Sequence, residues 1–166
     1  CLAYALFAEA GVPAPRCAFA RVQVNGEDLG IYAHVEPIKR PFLRDHFGDD
    51  SGDLYEGTLS DVEPRWLDTF DPKTDETDPT LGPLRPFAAD LADPTLQLDA
   101  VLDAHLDLDA FLTFWAMEVW VGHWDGYTGN QNNFFVYRAP GTDRLAFLPW
   151  GADGTFQTPQ QEGGTA

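Results

Sequence analysis

Two β-rich runs, 17–24 and 29–36, meet at Asn25-Gly26. That dipeptide accepts positive φ at both positions, which a tight two-residue turn between twisted strands demands. The spacing therefore predicts an antiparallel hairpin near the start of the chain. Ala20, Val22 and Val24 share one face of its first strand, and Ile31, Ala33 and Val35 share one face of the second.

Helical signals surround this hairpin. Residues 1–10 are rich in Ala and Leu, and Gly11, Pro13 and Pro15 stop the helix they predict. A short helix is expected over 41–47, with Pro41 in its first turn. Residues 48–95 are the least regular, with a turn at 49–52, a short strand at 54–57 and an exposed acidic loop over 68–79. That loop lacks the spacing of a calcium-binding loop.

Order returns with a helix over 96–106 and a longer one that Asp107 caps. Asp109 lies in its first turn, where negative charge suits the helix dipole. Phe111, Leu112, Trp115, Ala116 and Val119 recur at three- and four-residue steps, which predicts a core-facing stripe ended by Gly122.

Charge excludes some partners. The 166 residues hold 27 acids against 10 bases, a formal net charge of −17. A polyanion repels nucleic acid and anionic membranes, while it attracts cations and basic proteins. No apolar run reaches the roughly eighteen residues of a membrane span, so no membrane insertion is expected. With 44% apolar residues the chain can bury a core, and its length suits a single domain.

The chemistry-bearing stretch comes late. His123-Trp-Asp-Gly-Tyr-Thr-Gly-Asn-Gln-Asn132 precedes two strands, 133–138 and 144–149, flanking a turn. Setting Arg138 opposite Arg144 places Asn133 opposite Pro149 and brings Asn130 near Asp153. Neighbouring strands lie about 5 Å apart, so an amide before the hairpin and an acid after it fall within one side chain's reach. Asp125 turns back over the same spot through a glycine-flanked loop. An acid, an Asn five residues on, a hairpin and a second acid is the order of a protein kinase's catalytic loop and metal-binding acid. Oxygen ligands of this kind suit magnesium.

The wording of the sequence extends this. Val24-Asn-Gly-Glu-Asp-Leu-Gly-Ile-Tyr-Ala-His-Val-Glu36, Pro41-Phe-Leu-Arg-Asp-His-Phe-Gly48 and Gly52-Asp-Leu-Tyr-Glu-Gly57 resemble segments of the CotH kinase family. So do His123-Trp-Asp-Gly-Tyr-Thr-Gly-Asn-Gln-Asn-Asn-Phe-Phe-Val-Tyr137 and Leu148-Pro-Trp-Gly-Ala-Asp-Gly-Thr-Phe156. The resemblance implies an α+β, partial atypical protein-kinase-like fold: a β-hairpin region, then a helical lobe with a late catalytic β-hairpin. It also implies phosphoryl transfer to Ser or Thr hydroxyls of a protein, using ATP and Mg2+ or Mn2+.

In that reading Asp125 is the catalytic acid, and Asp153 with Asn130 or Asn133 holds metal. Glu36 belongs to the nucleotide side, either pairing with a basic residue from upstream or bonding an Arg. Gly151 departs from a pattern in which many members carry Asp, which places a second metal in question. The only lysines, Lys39 and Lys73, stand in no convincing place for a phosphate-binding role. The partners expected are a nucleotide and a protein substrate of basic character.

The family also implies a secreted or surface protein related to spore coats. Export favours a Cys1–Cys17 disulfide over two buried thiols. Because the chain opens inside a helical pattern, it is expected to be a domain truncated on its nucleotide-clamping side and at its C-terminal side. The alternative function is a non-catalytic adhesin-like or invasin-like surface module.

Overall fold

The computed structural model describes residues 1–74 and 78–156. Helix α1 (Leu2–Glu9) buries Ala3, Tyr4 and Phe7, and the chain leaves it through Gly11 at φ 85°. A disulfide joins Cys1 to Cys17, tying the start of α1 to the first strand. Strands β1 (Cys17–Val24) and β2 (Glu27–Val35) form the expected hairpin, with Asn25 at φ 52° and Gly26 at φ 86°. Cys17 faces Val35 and Ala20 faces Tyr32. This pair is a sheet of its own, and both of its faces meet solvent: Phe19 is 72% exposed on one, and Tyr32 is 52% exposed on the other.

Helix α2 (Arg40–Phe47) has Pro in its first turn and ends at Gly48, in the left-handed region. Arg44 and His46 lie in its last turn, where positive charge suits the dipole. Strands β3 (Asp53–Gly57), β4 (Phe70–Pro72), β5 (Phe134–Arg138) and β6 (Leu145–Pro149) then build an antiparallel sheet in the order β4-β3-β5-β6. The central strand β5 reads Phe-Phe-Val-Tyr because both faces are covered. Phe135, Tyr137, Leu54 and Leu148 pack on Ile38, Phe42 and Leu43, on and just before α2. Phe134, Val136, Tyr55 and Phe147 face the other layer, which Phe7 and Phe114 share with three further residues, Leu84, Phe87 and Val101.

That layer holds α3 (Leu84–Ala92), α4 (Leu98–His105) and α5 (Leu108–Trp120). Asp107 caps α5 as expected, accepting from the Ala110 N–H at 3.2 Å. Among the described residues the architecture is mixed α+β, with six helices and two antiparallel sheets. None of these helices is long and apolar enough to cross a membrane.

Four expectations are corrected. The late hairpin pairs Arg138 with Leu145 and Phe134 with Pro149, one residue from the expected register. A one-residue slip exchanges the faces of a strand. The observed pairing sets Phe135 beside Leu148 on the α2 side and Val136 beside Phe147 on the other, so each apolar set meets its own layer. The extra length goes into the turn, where Gly141 and Asp143 take positive φ.

The stripe on α5 is the second correction. Leu112, Trp115 and Val119 are exposed, and the helix buries Phe114 and Glu118 instead. The helix is apolar almost all round, so spacing alone does not single out a face. Phe114 wins because it fits among Phe7, Tyr127 and Phe147, with centroids 5.9 to 6.4 Å away.

Third, residues 68–79 are not simply an exposed loop. Leu67 and Phe70 are buried, and β4 covers the outer edge of β3. Asp53 Oδ1 accepts from the Asp78 N–H at 2.7 Å, and Asp78 in turn caps the N–H groups of Thr80 and Gly82. Residues 75–77 of that expected loop lie outside the described residues. Fourth, α3 occupies a stretch read as irregular.

Candidate active site

After α5 the chain turns sharply. Gly122 takes φ 62°, His123 N–H bonds the Glu118 carbonyl at 2.9 Å, and a single helical turn, α6 (Tyr127–Asn130), follows. Asn130 at the end of this turn, and Asn132 and Asn133 just after it, reach back to Asp125. Oδ1 of Asp125 accepts from Asn130 Nδ2 at 2.9 Å and from Asn132 Nδ2 at 3.3 Å. Oδ2 accepts from Asn133 Nδ2 at 2.7 Å, and the same amide reaches the Asp125 carbonyl at 3.0 Å. Asn133 sits at φ 51°, a left-handed conformation that Asn tolerates better than most residues.

These amides hold the Asp125 carboxyl below the usual carboxylate range. The Asn130 bond is the largest cause; partial burial opposes it, and Asn132, Asn133 and the field of His123 add to the lowering. Asp125 is thus an ionised acceptor held in one orientation.

The second loop follows β6. Trp150 N–H bonds the Asn133 carbonyl at 3.1 Å, and a 3₁₀ turn spans Ala152–Gly154, leaving Asp153 exposed. The two loops lie against each other at several points. His123 Nε2 is 3.2 Å from the Gly151 carbonyl oxygen, and Phe156 N–H bonds the Val121 carbonyl at 2.8 Å. A Cβ on Gly151 would stand 2.7 Å from Asn133 Oδ1. Gly151 is also at φ 54°, so its lack of a side chain is required twice. The Ala152 N–H reaches the Tyr4 hydroxyl at 3.4 Å, which anchors the turn to α1.

Sequence reasoning placed Asp125, Asn130, Asn133 and Asp153 on these loops. The structure joins the first three by hydrogen bonds and sets the Asp153 turn beside them. It adds Asn132 to the cluster; the run Asn130-Gln-Asn-Asn133 was the available signal. Glu118 was missed, because an acid in a helix ordinarily reads as solvent-facing.

Glu36 takes no part in the Asp125 cluster. Its carboxylate accepts from the Arg16 backbone N–H at 3.1 Å and from Nε at 3.0 Å, and it is ion-paired to the same guanidinium. The Arg16 bonds hold it below its ordinary range despite the opposing effect of burial. With Arg16, His34 and Pro37 it lines a hollow of about 300 Å³ at the root of the hairpin.

Among the described residues no three His, Cys, Asp or Glu side chains converge in a metal-binding group. The donors at the two loops are carboxylate and amide oxygens, which fit a hard divalent cation rather than zinc or copper.

The geometry defines a mixed α+β chain whose two adjoining loops carry an acid-and-amide site. A family model described as CotH kinase protein matches residues 1–166, and the chain belongs to that family. It is similar to the inner spore coat protein H of Bacillus subtilis (strain 168), at 25% identity over 163 residues. That alignment covers 90% of this chain and 44% of the relative, so the chain spans less than half of the relative's length.

Proposed function

We propose that this chain carries the phosphoryl-transfer site of an atypical, kinase-like enzyme acting on Ser or Thr hydroxyls of a protein. The observation that carries the reading is the Asp125 carboxylate, fixed by Asn130, Asn132 and Asn133 beside the Asp153 turn. Phosphoryl transfer has a loose transition state that asks little of a base and much of positioning. A carboxylate held ionised by amides is a weak base but a well-aimed acceptor. Asp125 orients the hydroxyl of the substrate; as the oxygen bonds to the γ-phosphorus and ADP departs, the hydroxyl proton passes to the carboxylate.

Asn130, Asn133 and Asp153 would hold Mg2+ or Mn2+, which when bound with ATP disperses the charge of the transferred phosphoryl group. Glu36, with Arg16, lies at the hollow below the hairpin and is assigned to the nucleotide side. The net charge of −17 favours a basic protein substrate. The disulfide suits an oxidising, extracellular or surface location, and the relative's name places that protein in a spore coat.

Labelling of a basic protein substrate from γ-labelled ATP tests the reading. Asp125→Ala and Asp153→Ala are expected to abolish transfer; transfer at wild-type rates in both variants removes these residues from the mechanism.

One observation favours a second reading, a non-catalytic surface-binding module. Leu112, Trp115, Val119 and Trp120 on α5 and Trp124 in the loop that carries Asp125 are all exposed, and exposed apolar residues gathered on one helix mark interaction surfaces. Titration of ATP in the presence of magnesium separates the two: saturable binding supports the enzyme, and its absence supports the module.

A further inference from the structure

Glu118 and His123 have fully buried side chains, and neither is assigned a role above. A buried carboxylate costs several kcal/mol unless it is bonded. Glu118 Oε2 accepts from the Thr128 N–H at 2.8 Å and Oε1 accepts from the Tyr127 N–H at 3.3 Å. Both N–H groups belong to the first turn of α6, where a helix leaves donors unpaired. Glu118 thus holds the start of the helix that presents Asn130.

The remaining neighbour of Oε1 is His123 Nδ1, 3.5 Å away and without a hydrogen-bond partner. The other ring nitrogen settles what this contact is. Nε2 lies 3.2 Å from the Gly151 carbonyl oxygen, which can only accept, so Nε2 carries a hydrogen. A bare Nδ1 would then set its lone pair against those of a carboxylate in a dry interior. One proton on either partner makes the contact attractive. The chain leaves space for the pair: a Cβ on Gly126 would overlap His123 Nδ1 and stand 2.7 Å from Glu118 Oε1.

We infer that Glu118 and His123 share one proton and act as positioning residues, locking the Asp125 loop to Gly151, two residues before Asp153. Resting on the phosphoryl-transfer reading, this names what fixes the spacing between the two acids. The other charged groups facing the pair are Asp125, beside His123, and Asp61, which accepts from the Tyr127 hydroxyl at 3.0 Å. Neither donates to Nδ1.

The test uses the whole chain and two substitutions, E118Q and E118L. In E118Q the amide N–H2 takes the Oε1 position and donates to a bare Nδ1, giving up the long 3.3 Å bond from the Tyr127 N–H, while its oxygen still accepts from Thr128, so the contact to His123 survives without the extra proton. E118L keeps the volume and supplies no acceptor. The expected result is a loss of kcat of about 10–100-fold in E118L with little change in KM for ATP, and rescue by E118Q. A loss in E118Q as large as in E118L, or an unchanged kcat in E118L measured well below its melting temperature, overturns the proposal.

Nitrogen-15 shifts of the His123 ring give a readout free of activity. The wild type is expected to show a protonated Nε2; a ring carrying its hydrogen on Nδ1 alone overturns the proposal even if E118L does not fold. A wild type that transfers no phosphate removes the enzymatic reading, while the ring shifts still decide the lock.

Discussion

The carbonyl oxygen of Gly151 lies 3.2 Å from Nε2 of His123, so the turn carrying Asp153 is tied to the residue two before Asp125. Residues 28 positions apart are thereby joined at the end of a strand pair whose register the sandwich packing fixes. The site depends on how closely these two loops approach.

Gly151 is the point of closest approach, which gives a first prediction. Gly151→Ala adds a Cβ at a positive φ and against the Asn133 amide. The expected loss is about 1–3 kcal/mol, read from urea unfolding. Gly141→Ala is strained in φ as well, yet its Cβ would meet nothing within 4 Å. Urea midpoints should therefore fall further for Gly151→Ala than for Gly141→Ala; equal values would show that contact with Asn133 is unimportant.

Asp125 gives a second prediction through its titration. Its folded-state value is depressed, so its share of stability is present above the unfolded value of about 3.9 and is lost as pH falls through the lower folded value. Carbonyl-carbon NMR of the Asp125 side chain should show a midpoint below the usual range. Asn130→Ala removes the largest cause and should raise that midpoint. An unmoved midpoint would assign the depression to other neighbours.

Part of this was legible in the sequence, and the line between legible and hidden is physical. Asn25-Gly26 announced its hairpin because only a few residue types accept that turn. Asp107 announced the start of α5 for a similarly local reason. The register of β5 on β6 was hidden because two layers, one on each face, decide it. The buried face of α5 was hidden because a helix apolar all round does not advertise which side meets the core. Asp125, Asn130, Asn133 and Asp153 stood out by order along the chain. Glu118 could not, since only the fold puts it beneath Tyr127 and Thr128.

The buried face of α5 yields a third prediction. Phe114 is wholly buried among aromatic rings, and Leu112 two residues away is exposed. Phe114→Ala should cost about 3–5 kcal/mol through lost burial and the cavity left behind. Leu112→Ala should stay within about 0.5 kcal/mol. Thermal or urea unfolding of the pair checks it; similar losses in both would return Leu112 to the core.

The disulfide supplies the last prediction. Cys1 and Cys17 are 16 residues apart, and their bond closes a loop containing α1 and the approach to β1. Closing a loop of this length restricts the unfolded chain, and losing the bond typically costs about 2–4 kcal/mol. Tyr4 and Phe7 inside the loop pack in the core, and the Tyr4 hydroxyl accepts from Ala152 in the turn that carries Asp153. Replacing both cysteines with Ser should therefore lower the melting temperature and also speed amide exchange at Ala152. Exchange at Asn130, whose N–H bonds the Gly126 carbonyl at 2.9 Å within its own helical turn, should change less. Equal acceleration at both amides would mean that the bond steadies the whole chain and gives the Asp153 turn no local support through α1.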